Sequence, residues 1–148
     1  MKKFKPVLNK IYAYSEIKDN YGFDRSFAIW DKDDKEVCAF VLNPEMNPSL
    51  HYHQDTDTIK ILVAKGPMRE ANLKKVSLDE PYPIFMKQDT NQWKFIGTYY
   101  FCGFTTNSSE VVPHVKNLEI KLDKIVCVMT LEKEAVYLKK LSDLNKAA

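Results

Sequence analysis

Residues 81–104, PYPIFMKQDTNQWKFIGTYYFCGF, constrain this chain more than any other stretch. The run 81–87 is bounded by prolines and rich in aromatic and branched side chains, which suit a strand. Gln88, Asp89, Thr90 and Asn91 make a turn, since Asp and Asn side chains bond their own backbone and tolerate left-handed conformations. The run 93–104 then carries Trp93, Phe95, Tyr99, Tyr100, Phe101 and Phe104, the densest aromatic segment of the sequence. Gly97 and Gly103 interrupt it where a strand would bulge or bend. A hairpin whose second strand bends twice predicts a sheet curling toward a small barrel. In that setting Trp93 and Phe95 read first as packing side chains.

The remaining segments supply the other walls. Ser15 stands before Glu16, Ile17, Lys18 and Asp19 as an N-cap would, so a short helix is expected over 15–21, ending at Gly22. A hairpin is expected from strands 26–30 and 36–42 around the charged turn 31–35. Asn43-Pro44 and Asn47-Pro48 follow. Proline fixes its own backbone and extends the residue before it, so this is a stiff shelf. It opens the longest irregular stretch, running to Asp57. The run 58–64 is branched and apolar, a strand. Gly66 and Pro67 then introduce a helix over 68–75, with proline at the first helical position. Further along, 105–109 reads as a polar loop, 110–114 as a continuation of the sheet edge, 118–123 as a half-buried strand, and 124–131 as an interior strand. The segment 132–145 closes the chain as an amphipathic helix with Ala135, Leu138 and Leu141 on one stripe. Together these predict one α+β, mainly β domain over 1–148: a small bent sheet or pseudo-barrel with two or three short flanking helices.

Composition bounds the chemistry. The chain has 148 residues, 45% of them hydrophobic and 28% charged, and no apolar run approaches a membrane span. The basic start lacks the apolar core of a signal peptide, so the cytoplasm is the expected compartment. Cys38, Cys102 and Cys127 are scattered among apolar residues and read as core hydrophobes in a reducing environment. His51 and His53 could reach a metal only with Asp55 or Asp57, against a simpler reading as loop histidines. No metal or cofactor is expected. The net charge is only +2, but residues 60–75 hold five basic residues against one acid. Lys65, Gly66, Arg69, Lys74 and Lys75 could face phosphate, with Arg25 alongside, because a helix start offers backbone amides to an anion. A solvated charged face is the competing reading.

Taken in order, several segments resemble a known family. They are Ile11-Tyr12, Ser15-Glu16-Ile17, Tyr21-Gly22, Leu42-Asn43-Pro44, Asn47-Pro48, Ile61 through Pro67, Pro83-Ile84-Phe85, Lys87, Thr90-Asn91, and Trp93 through Tyr99 with its Trp-x-x-x-Gly-x-Tyr spacing. This order resembles the PUA-like barrels, among them the SRA and EVE readers of modified bases, and more closely the DNA-binding domains that precede HNH-type modification-dependent restriction nucleases. The likeness covers about residues 11–104. It implies a restriction- or defence-associated reader that grips duplex DNA and flips one modified base, for example a methylated one, into an aromatic pocket. By that implication Tyr14, Tyr21, Phe23, Tyr52 and Tyr82 would stack on the base, and Asn43 and Asn47 would read its edge. A partner nuclease domain, in this or another chain, follows from the same likeness. No HNH pattern is present here, so no catalytic residue is assigned.

Two other classes stay open. An enzyme acting on nucleotides or RNA would need a positioned acid or base, for which His53, Asp55 and Asp57 are available. A small-ligand or protein-interaction module would need only a closed apolar pocket or the C-terminal helix.

Overall fold

The computed structural model describes residues 4–33, 35–45, 57–115 and 122–147. Its elements in order are β1 (Ile11–Tyr12), α1 (Tyr14–Tyr21), β2 (Phe23–Arg25), β3 (Ala28–Trp30), β4 (Val37–Leu42), β5 (Thr58–Ala64), α2 (Pro67–Lys75), β6 (Pro81–Asp89), β7 (Gln92–Thr105), α3 (Ser108–Val115), β8 (Ile125–Lys133) and α4 (Glu134–Ala147). The strands form one mixed sheet in the order β2-β3-β4-β6-β7-β8-β5, with β1 pairing separately on β7. The fold is α+β and mainly β, a curled half-barrel, as the aromatic hairpin requires.

The bend in β7 has an identifiable cause. Opposite β6 the register slips between Ile84 and Phe85, where Ile96 is the extra residue before Gly97. Opposite β8 it slips again between Phe101 and Gly103, leaving Cys102 unpaired. Both glycines hold positive φ, at 120° and 113°, which side-chain-bearing residues rarely adopt. A bulge re-aims the strand and sharpens its twist. Each glycine therefore turns β7 onto a new course, and one strand serves two walls.

The bend also divides the core. The inner cluster gathers Trp30, Phe40, Leu42, Ile61, Tyr82, Ile84, Tyr99, Phe101, Met129 and Leu131 within the curl. A second cluster lies on the outer face, where Tyr12, Ile17, Ile29, Val41, Phe85 and Phe95 are covered by α1 and by Phe4. Strand β4 is buried on both faces for this reason. The open edges β2 and β5 are bridged by α2, and Asn72 is the tie. Fully buried, it accepts from Trp30 Nε1 at 2.6 Å and donates to the Arg25 carbonyl at 2.8 Å.

Several local expectations are corrected. The α1 N-cap is Ala13 rather than Ser15, because Glu16 Oε1 reaches back 2.9 Å to the Ala13 amide and satisfies it. The strand expected over 26–30 begins at Ala28 and pairs antiparallel with β4 as the expected hairpin requires; the addition is β2 before it, joined through a turn with Ser26 at φ 62°. Residues 110–114 are helical, not a sheet edge. Asn107 caps α3 by accepting from the Ser109 amide at 3.0 Å, and Glu110 sits in the first turn. Of the strand expected over 118–123, Leu122 and Asp123 belong to a single 3-10 turn, and 118–121 lie outside the described residues. In α4 the leucine stripe points outward, with Leu138 47% and Leu141 41% exposed. The helix is held instead by Tyr137, stacked on Tyr100 at 4.2 Å and bonded to Asp79, and by Lys140 on Glu132.

Candidate nucleic-acid interface

Strand direction decides which of the sequence-expected residues can act together. β4 runs parallel to β6, and the pairs β6–β7, β7–β8 and β8–β5 are antiparallel. Leu42 lies beside Met86 near the end of β6, whereas Thr58 lies across Glu132 and Tyr100 from Pro81 at its start, and Lys65 follows the far end of β5. The asparagine end and the lysine–glycine end of the expected site are thus two places rather than one.

At the lysine–glycine end, α2 is already capped from within. The Gly66 amide donates to Glu70 Oε2 at 3.1 Å. Arg69 folds back, its Nε donating to the Ala64 carbonyl at 3.2 Å and its Nη2 to the Lys65 carbonyl at 2.6 Å. The Lys65 and Lys74 side chains are exposed. Arg25 and Lys75 converge on Trp30, 4.4 Å and 5.8 Å from the ring centre. This end combines exposed lysines with two cations that partly cover an indole.

Among the described residues, the expected pocket aromatics Tyr82 and Tyr21 belong to different clusters. Tyr82 is buried within the barrel, its hydroxyl accepting from the Ser77 amide at 2.7 Å and its ring edge-on to Phe40. Tyr21 packs edge-on against Phe4 and Phe85, and burial pushes its phenol well above the usual range. Both are packing side chains. Phe23 is 51% exposed on edge strand β2. Asn43 is half-buried just past β4, its Oδ1 accepting from the Glu45 amide at 3.1 Å. Asn47 and Tyr52, like His51, His53 and Asp55, lie outside the described residues.

What sequence reasoning missed is the neighbour of Asn43. Leu42 and Met86 form the last pair of the β4–β6 ladder, and Asn43 and Lys87 are the residues that follow them; Lys87 in turn pairs with Trp93. Alternation places them on the outer face, since Leu42 is in the inner cluster and Val41 and Phe85 are in the outer one. Trp93 is half-buried and lies against Tyr14, ring centres 5.1 Å apart and tilted by 36°. Lys87 stands 5.9 Å from the Trp93 ring and Lys18 5.7 Å from the Tyr14 ring. The Tyr14 amide donates to Asn91 Oδ1 at 2.8 Å, which locks the start of α1 onto the β6–β7 turn. Burial, reinforced by a hydrogen bond to Asp24, holds the Tyr14 phenol protonated far above its usual range. One end of the outer face thus carries a row of amide, ammonium, indole, phenol and ammonium.

The other chemistries have less here. Asp57 is exposed, and its carbonyl accepts from the Lys133 amide at 2.7 Å. Among the described residues no group of three or more His, Cys, Asp or Glu could hold a metal. A cleft of about 410 Å³ over Lys60, Cys102 and Thr130 is polar and open, unlike the closed apolar pocket of a small-ligand carrier. Among the described residues no helix is long and apolar enough to cross a membrane.

Architecture and surface together define a bent-sheet α+β domain with an aromatic, lysine-flanked outer end. Neither a protein-family model, nor a curated protein, nor a solved structure matches the chain.

Proposed function

We propose that this chain is a DNA-binding reader domain that accepts one base out of the stack onto Trp93 and Tyr14. The observation that carries the reading is the row Asn43, Lys87, Trp93, Tyr14 and Lys18 on one end of the outer face. Aromatic side chains that hold a stacked base contribute about 1–3 kcal/mol each, and the flanking lysines attract the phosphates on either side. A lysine over an exposed ring is worth only about 0.5–1 kcal/mol, so a base that displaces Lys87 from Trp93 gains more than is lost. The displaced ammonium is then free to meet the base edge. Lys65, Lys74 and Lys75, away from the ring pair, would hold the backbone farther along. Modified-base preference is the finer part of the proposal, because flipping costs least where pairing is already weakened.

The test is a salt titration on labelled duplexes of one sequence, plain and methylated, with Tyr14→Ala and the double variant Lys65→Ala, Lys74→Ala. Tyr14→Ala should weaken binding to a site-bearing duplex about tenfold. The double lysine variant should weaken all duplexes alike and flatten the salt slope by about one unit for each phosphate no longer neutralised. Wild-type protein that binds no duplex at low salt overturns the reading. Equal binding of plain and methylated DNA overturns only the modification preference.

A further inference from the structure

The polarity of the groups beside the ring pair selects among bases. The Asn43 amide is oriented by its own turn: Oδ1 takes the Glu45 N–H at 3.1 Å, so Nδ2, a pure donor, is the end left for a ligand. Lys87, which follows Met86 as Asn43 follows Leu42, can only donate. The nearby acids are engaged: Asp89 Oδ1 accepts from the Thr90 amide at 2.7 Å, and Asp24 accepts from the Tyr14 hydroxyl. The row therefore offers two donor groups and an aromatic face. Among the four bases, one edge shows two adjacent acceptors and no donor: O6 and N7 of guanine. Adenine puts a donor at N6, cytosine's adjacent acceptors N3 and O2 share their edge with the N4 donor, and thymine's O2 and O4 flank the N3 donor.

We infer that the base taken by Trp93 and Tyr14 is guanine, read along its O6/N7 edge by Asn43 Nδ2 and Lys87 Nζ. The inference rests on the proposed stacking role of the ring pair and adds the identity of the base. A modification that keeps both acceptors is tolerated, and one that places hydrogen on N7 is rejected.

Single-stranded oligo(dC) strands with one central variable base test it without the cost of opening a duplex. Guanine and inosine, which share O6 and N7, should bind about tenfold tighter than adenine or 7-deazaguanine. Asn43→Asp keeps an acceptor for the Glu45 amide but removes the donor. It should bring guanine down to the level of 7-deazaguanine while leaving adenine little changed. Equal binding of guanine, 7-deazaguanine and adenine overturns the base assignment and leaves the stacking role standing. Loss of all binding in Trp93→Leu, with the wild type indifferent to the base, likewise removes guanine and keeps the stack. Strands that do not bind the wild type at all overturn the stacking role itself.

Discussion

At the scale of single residues, two positions carry much of the architecture, and each makes an expected outcome. Asn72 is the fully buried polar side chain that joins α2 to the β2–β3 hairpin through two hydrogen bonds. Removing it leaves the Trp30 indole N–H and the Arg25 carbonyl without those partners. Asn72→Ala should therefore lower unfolding free energy by about 2–3 kcal/mol in a denaturant titration. Gly22 has φ 152°, and a Cβ there would collide with the Trp30 backbone carbonyl. Backbone cannot swing aside, so Gly22→Ala should cost about 3 kcal/mol or more. Gly66→Ala meets only the flexible Arg69 guanidinium and should cost less. Cys38 gives a pH outcome. Burial, with Asp31 and Glu36 nearby, pushes its thiol up to about 11, and burial does the same for Cys127. A raised acid pKa means that the folded state favours the protonated thiol. The resulting stability is complete below about pH 9 and is lost as pH climbs from 9 through 11. Thermal melts should show that alkaline decline, and iodoacetamide should label Cys38 about a hundredfold more slowly than a free thiol at neutral pH.

At the scale of elements, the sequence is legible where pattern and chemistry agree. β5 and α2 fall where branched residues and a proline start place them. Both bulges of β7 sit beside the glycines that announce them. Legibility fails where a polar residue has two uses. Asn107, Ser108, Ser109 and Glu110 spell a capping box, yet the same letters read as a polar loop, which turns the expectation for α3 toward a strand. In α4, spacing alone makes Leu138 and Leu141 look inward, but Tyr137 and Lys140 hold the helix from another side. Tyr137→Phe keeps the stack on Tyr100 and removes only the bond to Asp79. It should loosen α4, seen as faster amide exchange over the helix, with global stability little changed.

At the scale of the whole molecule, the curl decides which surfaces exist. Tyr21 and Tyr82 look available in the sequence but are consumed by the outer and inner clusters. Trp93, a packing residue by its sequence pattern, is left half-open because β1 and α1 reach it without covering it. That exchange of roles is not legible in composition, since it depends on register across β4, β6 and β7. The same register splits the basic residues from the asparagine end, so the proposed DNA would lie along the barrel rather than at one mouth. Tryptophan fluorescence tests the stacking role most directly. Of the two tryptophans, Trp30 is buried and bonded to Asn72, leaving Trp93 to report contact with a base. Titrating wild-type protein with a guanine-bearing strand should quench the emission saturably, and Trp93→Phe should abolish the quenching while binding persists by anisotropy. Binding by anisotropy with no change in wild-type emission would contradict a base stacked on Trp93.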